Sequence, residues 1–165
     1  MNLFFLRHAK AYPQGPKFRA DSKRPLTPEG RDKMYEVARG IKELGLTFDL
    51  ILTSPYARAL STAQILAEVY KSKELFPTNN LICEADPKAL IQEINENFGS
   101  LENLVLVGHE PFLSRLISVL LTGAPDTAID LKKAGLCFLT VQDLRHGKCA
   151  SLNWLLKPSH LAALA

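Results

Sequence analysis

The chain has 165 residues, 47% hydrophobic and 22% charged, with a formal net charge of +3. This is ordinary globular composition for one domain over residues 1–165, and so small a charge gives no sign of nucleic-acid binding. No segment approaches the ~20 apolar residues of a membrane span, and Cys83, Cys137 and Cys149 show no C-x-x-C spacing, so the expectation is a soluble cytoplasmic protein without disulfides or bound metal.

Residues 2–6 form a buried strand through Leu3, Phe4, Phe5 and Leu6, and Arg7-His8 stands at its end. A polar loop with Pro13, Gly15 and Pro16 follows, rich in Lys17, Arg19, Lys23 and Arg24. Thr27-Pro28-Glu29 starts a helix: a hydroxyl cap, proline in the first turn and an acid facing the dipole. Met34, Val37, Ala38, Ile41 and Leu44 make its apolar stripe, and Gly45 ends it. Residues 49–53 read as a second strand, and Ser54-Pro55 opens a second helix by the same capping logic, to about Tyr70. Residues 80–83 read as a third strand, and Asp86-Pro87 opens a third helix with Leu90, Ile91, Ile94 and Phe98 on one face. Residues 103–107 are a fourth strand, which Gly108 allows to exit tightly. Pro111 begins a fourth helix with Leu113, Leu116, Ile117, Leu120 and Leu121 inward. Residues 134–141 and 150–156 are extended runs joined around Arg145-His146-Gly147, a C-terminal antiparallel hairpin. The pattern predicts a three-layer α/β/α fold with a mostly parallel central sheet.

Four side chains then stand at equivalent places. Arg7 and His8 follow the first strand, Arg58 lies in the first turn after the second, and His109 follows the fourth. Strand exits of a parallel sheet share one rim, where ligands bind. Helix N-termini at Arg58 and His109 favour an anion there. A phosphoryl group suits two guanidiniums. His8 is then the nucleophile, kept neutral by the cations and held in one tautomer by an acceptor on its other ring nitrogen. Arg7, Arg58 and His109 stabilise the transferring oxygens. Each residue also has a plain structural reading, such as surface pairing for the arginines, a turn for Gly108 and a first-turn helix acid for Glu110.

Arg7-His8-Ala9 resembles the R-H-G signature of the histidine phosphatase (phosphoglycerate-mutase-like) superfamily. Leu26-Thr27-Pro28-Glu29-Gly30 resembles its L-T-x-x-G helix start, Ser54-Pro55-Tyr56-Ala57-Arg58-Ala59 with Thr62-Ala63 its S-P-x-x-R-A-x-x-T-A segment, and Val107-Gly108-His109 its V-x-H segment. Within the superfamily the chain resembles the small SixA-type phosphohistidine phosphatases, through the Asp21-to-Thr27 loop (D-x-x-R-P-L-T), through Asn153-Trp154 followed by Pro158, and through the absence of a large capping insertion before Asn103. The resemblance implies a phosphoglycerate-mutase-like fold, His8 as nucleophile, and Arg7, Arg58 and His109 as the phosphate pocket. It adds Arg24 as a phosphate contact, with an ion pair to Asp21 the alternative.

Three departures stand out. Ala9 replaces the commoner glycine, Ser61 stands where glutamine is frequent, and no firm proton donor is visible. Glu84 and Asp86 are the local candidates, with a surface acid and a helix cap as their plain readings. An alkoxide leaving group needs a positioned acid, whereas imidazole leaving from phosphorus needs less help. The expectation is therefore a metal-independent, cofactor-free phosphohistidine phosphatase in signal transduction. It would act on a phosphohistidine-bearing protein such as a phosphotransfer domain, with no nucleic-acid or membrane partner. The alternatives are a phosphatase or mutase for small phosphate monoesters, and a non-catalytic phosphohistidine-binding module. Lys132 and Lys133 either line the site mouth or belong to a solvated loop, and His146 and His160 are bystanders on a turn and a C-terminal tail.

Overall fold

In the computed structural model, which describes residues 1–71 and 74–165, strands and helices alternate. The strands are β1 Asn2–Arg7, β2 Leu50–Thr53, β3 Leu75–Pro77, β4 Asn103–Gly108, β5 Leu136–Val141 and β6 Ala150–Leu156. The helices are α1 Pro28–Glu43, α2 Ala57–Val69, α3 Pro87–Asn97, α4 Phe112–Thr122 and α5 Pro158–Ala162. One sheet holds all six strands in the order β3-β2-β4-β1-β5-β6. Neighbours among β1 to β4 pair in parallel, and β5 and β6 add on in antiparallel fashion.

Both faces of the sheet are covered, so its central strands read as continuous apolar runs rather than alternating ones. Leu3, Phe5, Leu52, Leu104 and Leu106 point to one face and pack with Leu90 and Ile94 of α3 and Leu113, Leu116 and Ile117 of α4. Phe4, Leu6, Ile51, Val105 and Val107 point to the other and meet Met34, Val37 and Ile41 of α1, Leu66 of α2 and Leu161 of α5. Each such side chain contributes roughly 1.5–3 kcal/mol of burial. The helix starts at Thr27-Pro28 and Asp86-Pro87 form as expected: the Thr27 hydroxyl accepts from Gly30 N at 3.0 Å and Asp86 from Lys88 N at 2.9 Å.

Four details differ from the sequence expectation. The third strand is residues 75–77, not 80–83; it is a short edge strand ending in Pro77, which edges tolerate. Residues 79–81 instead form a 3-10 turn, because the Thr78 hydroxyl accepts the Asn80 N–H and bends the chain so that Leu81 alone is buried. α2 begins at Ala57 with no side-chain cap, since the chain runs on extended through Tyr56. The expected C-terminal tail folds as α5, where Leu161 packs so closely on α1 that a Cβ at Gly40 would lie 1.7 Å from its carbonyl oxygen. Gly108 sits in β4 rather than at a turn, and a Cβ there would press on the Leu113 side chain at 3.2 Å.

Register sets the rim. Arg7 pairs with Gly108, and Thr53 with Val107, so β1, β2 and β4 end nearly level and are followed by His8, Ser54 and His109. Among the described residues no helix is long and apolar enough to cross a membrane.

Candidate active site

The rim encloses a cavity of about 290 Å³ lined by Arg7, His8, Asp21, Arg24, Arg58 and His109, with Ala11, Cys83, Glu110 and Lys133 completing the wall. The four residues singled out from strand ends thus come together. His8, Arg58 and His109 are buried, at 6%, 2% and 1% exposure. The two imidazole rings lie 5.2 Å apart between centroids.

His8 is held at both ring nitrogens. Nδ1 lies 2.8 Å from the carbonyl of Ala9, which can only accept, so Nδ1 carries the hydrogen. Nε2 accepts from Nε–H of Arg58 at 3.2 Å. Both partners select the same neutral tautomer, with the Nε2 lone pair facing the cavity. Burial, only partly offset by the Ala9 bond, lowers the His8 pKa to about 3, and the charges of Arg58, Arg7 and Lys133 push the same way. Ala9 in place of glycine is accommodated. It is buried, its backbone has no positive φ, and its N–H donates to the Thr62 hydroxyl at 3.0 Å.

Arg58 turns its remaining donors onto Asp21. Nη1 donates to the Asp21 carbonyl at 2.8 Å and Nη2 to the Asp21 carboxylate at 2.9 Å. Arg24 donates through Nε to the other oxygen of that carboxylate at 2.8 Å and through Nη1 to the Tyr12 carbonyl at 2.6 Å. Arg24 therefore does make the ion pair with Asp21, and it also lines the cavity.

His109 is fixed from behind: its Nε2 lies 2.7 Å from the Ser54 hydroxyl, which also accepts the Tyr56 N–H at 3.2 Å. The Ser54 hydroxyl, expected to cap a helix, is spent here instead. Burial first, then the Arg58 charge, lowers the His109 pKa to about 3. Arg7 donates through Nη1 to the Leu131 carbonyl at 3.0 Å. Arg7 Nε and His109 Nδ1 are buried polar atoms with no partner among the described residues. Both residues line the cavity, and buried polar atoms left without a partner call for one, such as an oxygen-rich anion.

Four acids lie at or near the cavity, and each is engaged or displaced. Asp21 is partly buried, which works against its charge, but hydrogen bonds from Arg24 and Arg58 hold its carboxyl below the ordinary value. Glu110 accepts from the backbone N–H and the hydroxyl of Ser114, capping the first turn of α4. Glu84 is exposed and lies outside the cavity lining, and Asp86 caps α3. Among the described residues no three His, Cys, Asp or Glu side chains gather as a metal site. Lys133 does line the mouth, while Lys132 pairs with Asp130 at 2.8 Å. Sequence reasoning missed Asp21, Ser54 and Thr62 as parts of the site; the S-P and T-A positions were visible in the motif, but not their bonds.

A family model described as the histidine phosphatase superfamily (branch 1) matches residues 3–82. An uncharacterized protein of Picosynechococcus sp. is 35% identical over 141 residues, 82% of each chain. The phosphohistidine phosphatase SixA of Escherichia coli is 25% identical over 166 residues, 98% of this chain and 96% of that one. The structure of the protein histidine phosphatase SixA complexed with tungstate superposes with a TM-score of 0.83 at 21% identity, covering 98% of this chain and 99% of that one. The fold is therefore phosphoglycerate-mutase-like and α/β, and the chain belongs to the histidine phosphatase superfamily, where its similarity is to the SixA type.

Proposed function

We propose that this chain is a phosphohistidine phosphatase that works through a phospho-His8 intermediate, with a phosphohistidine-bearing protein as its substrate. The observation that carries the reading is the double anchoring of His8: Nδ1–H on the Ala9 carbonyl and an unprotonated Nε2 that accepts from Arg58, in a cationic cavity whose acids are engaged.

The Nε2 lone pair attacks phosphorus, and the bond from phosphorus to the substrate's imidazole nitrogen breaks with its electron pair going to that nitrogen. A substrate ring protonated at its other nitrogen leaves as neutral imidazole, so no proton need be delivered to the leaving atom. Water then attacks phosphorus, and the bond to Nε2 breaks with its electrons returning to Nε2. His8 keeps its Nδ1 proton on Ala9 through both steps, and water's protons stay with the departing phosphate. Arg58 Nε–H, freed from the lone pair once phosphorus takes it, turns to a phosphoryl oxygen, and Arg7 Nε and His109 Nδ1 supply further donors. Both transfers run between nitrogen and phosphorus or water and phosphorus, with no alkoxide to protonate. An open rim with Lys133 at its edge suits a phosphoryl group presented on another protein. Three free cysteines fit a reducing compartment such as the cytoplasm.

The test is a quenched reaction with a 32P-phosphohistidine protein, beside phosphoramidate and p-nitrophenyl phosphate. Label is expected on His8, is lost in His8→Ala, and survives EDTA. Much faster turnover of the monoester would refute the substrate, and binding without label transfer would refute catalysis.

A further inference from the structure

The Asp21 carboxylate is a partly exposed acid that the chemistry above does not use, yet it touches Arg58, and Arg58 touches the reacting nitrogen. An arginine offers five N–H donors in a fixed plane. Nη2 lies on the same side as Nε–H, so these two make one edge, and Nη1 with Nη2 makes the end. Asp21 occupies the end, with its carbonyl oxygen on Nη1 at 2.8 Å and its carboxylate on Nη2 at 2.9 Å. The side edge is left facing inward: Nε–H meets His8 Nε2 at 3.2 Å, and Nη2 is 3.6 Å from the Cys83 sulfur on the cavity wall. Asp21 is itself braced by Arg24, which is tied to the Tyr12 carbonyl.

We propose that Asp21 is a positioning residue: it grips the end of the Arg58 guanidinium so that the Nε edge faces the phosphorus transferred to His8. The proposal rests on the phospho-His8 reading. It differs from a role as a competing anion, because the carboxylate sits on the end of Arg58 and not on the edge facing Nε2. It differs from a proton donor, because both carboxylate oxygens already accept from guanidiniums.

The ground state keeps Arg7 and His109 as phosphate contacts, so releasing Arg58 should weaken the transition state more than binding. Misplacing one catalytic group by about 1 Å can cost about 100-fold. With phosphoramidate as substrate, Asp21→Ala is expected to lower kcat by about 30-fold or more, while KM changes less than about threefold. Asp21→Asn, which keeps one acceptor oxygen, recovers part of the loss. In an Arg58→Ala background the Asp21→Ala change has little further effect, a coupling that a purely structural role would not produce. The proposal is overturned if Asp21→Ala leaves kcat within threefold of wild type, if it raises activity and tightens phosphate inhibition as removal of a competing anion would, or if its effect is undiminished without Arg58. Should Asp21→Ala fail to fold, the same comparisons are made with Asp21→Asn. Absence of label on His8 in the wild type would remove the phospho-His8 reading and this proposal with it. Label with an unaffected Asp21 variant would remove the proposal alone.

Discussion

Ala9 and Thr62 are joined across 53 residues of sequence: the Ala9 N–H donates to the Thr62 hydroxyl at 3.0 Å, and that hydroxyl donates to the Arg58 carbonyl at 2.7 Å. One buried side chain thereby ties the segment carrying the nucleophile to the helix carrying its arginine. Thr62→Val keeps the shape and leaves the Ala9 N–H unpaired. It should cost about 1–3 kcal/mol of stability and slow phosphoryl transfer, while Thr62→Ser retains both. Urea midpoints and phosphoramidate turnover check this; an unaltered Thr62→Val would show the tie to be idle.

Ser54 is expected to matter for His109 rather than for α2. Ser54→Ala removes the partner of a buried ring nitrogen and of the Tyr56 N–H. Stability should fall by about 1–3 kcal/mol, and turnover should fall along with it. Ser54→Thr, which keeps a hydroxyl, is the control, and helicity by circular dichroism should hardly change.

Acid should weaken the fold through the two imidazoles. Each has an ordinary value of 6.5 and is lowered to about 3 in the structure, by burial above all. Between those values the unfolded chain binds a proton at each ring and the folded chain does not. Stability is therefore complete above the ordinary value and declines as pH falls toward 3, by at most about 1.4 kcal/mol per pH unit for each ring. Denaturant midpoints at pH 7.5, 6 and 5 measure the slope. A His8→Gln/His109→Gln double variant should flatten it, and an unchanged slope would contradict the assignment.

Gly40→Ala tests the seat of α5. The added methyl would meet the Leu161 carbonyl at 1.7 Å, and backbone cannot yield there as a flexible side chain would. A loss of at least about 2 kcal/mol, or early proteolytic release of the C-terminal helix, is the expected result. Gly45→Ala is a different case: its φ of 71° makes strain, not collision, the cost, since nothing lies near its Cβ.

Much of this molecule is written locally. Thr27-Pro28 and Asp86-Pro87 mark helix starts by capping, and the apolar runs before Arg7 and His109 mark buried strands that end at a rim. From those, the chain order alone brings His8, Arg58 and His109 together. β3 was missed because three residues ending in proline carry almost no period, and α5 because five residues do not show a stripe. Asp21 on Arg58 and Ser54 on His109 were missed for another reason. These partners are 37 and 55 residues apart, so only the tertiary path decides that a loop acid and a pre-helix serine spend their oxygens there.

β1 lies in the interior of the sheet, hydrogen-bonded on one side to β4 and on the other to β5, and His8 extends from its end. Asp21 and Arg24 belong to a mostly exposed segment, outside the sheet, held by local backbone bonds, one isolated bridge at its base and a few side-chain bonds. Amide exchange should therefore run on different clocks in the two halves of the cavity, the nucleophile's wall opening with the whole molecule and the Asp21–Arg24 wall opening locally. Substrate range can drift through the outer wall at little cost to folding, whereas the inner wall is bound to the survival of the domain itself.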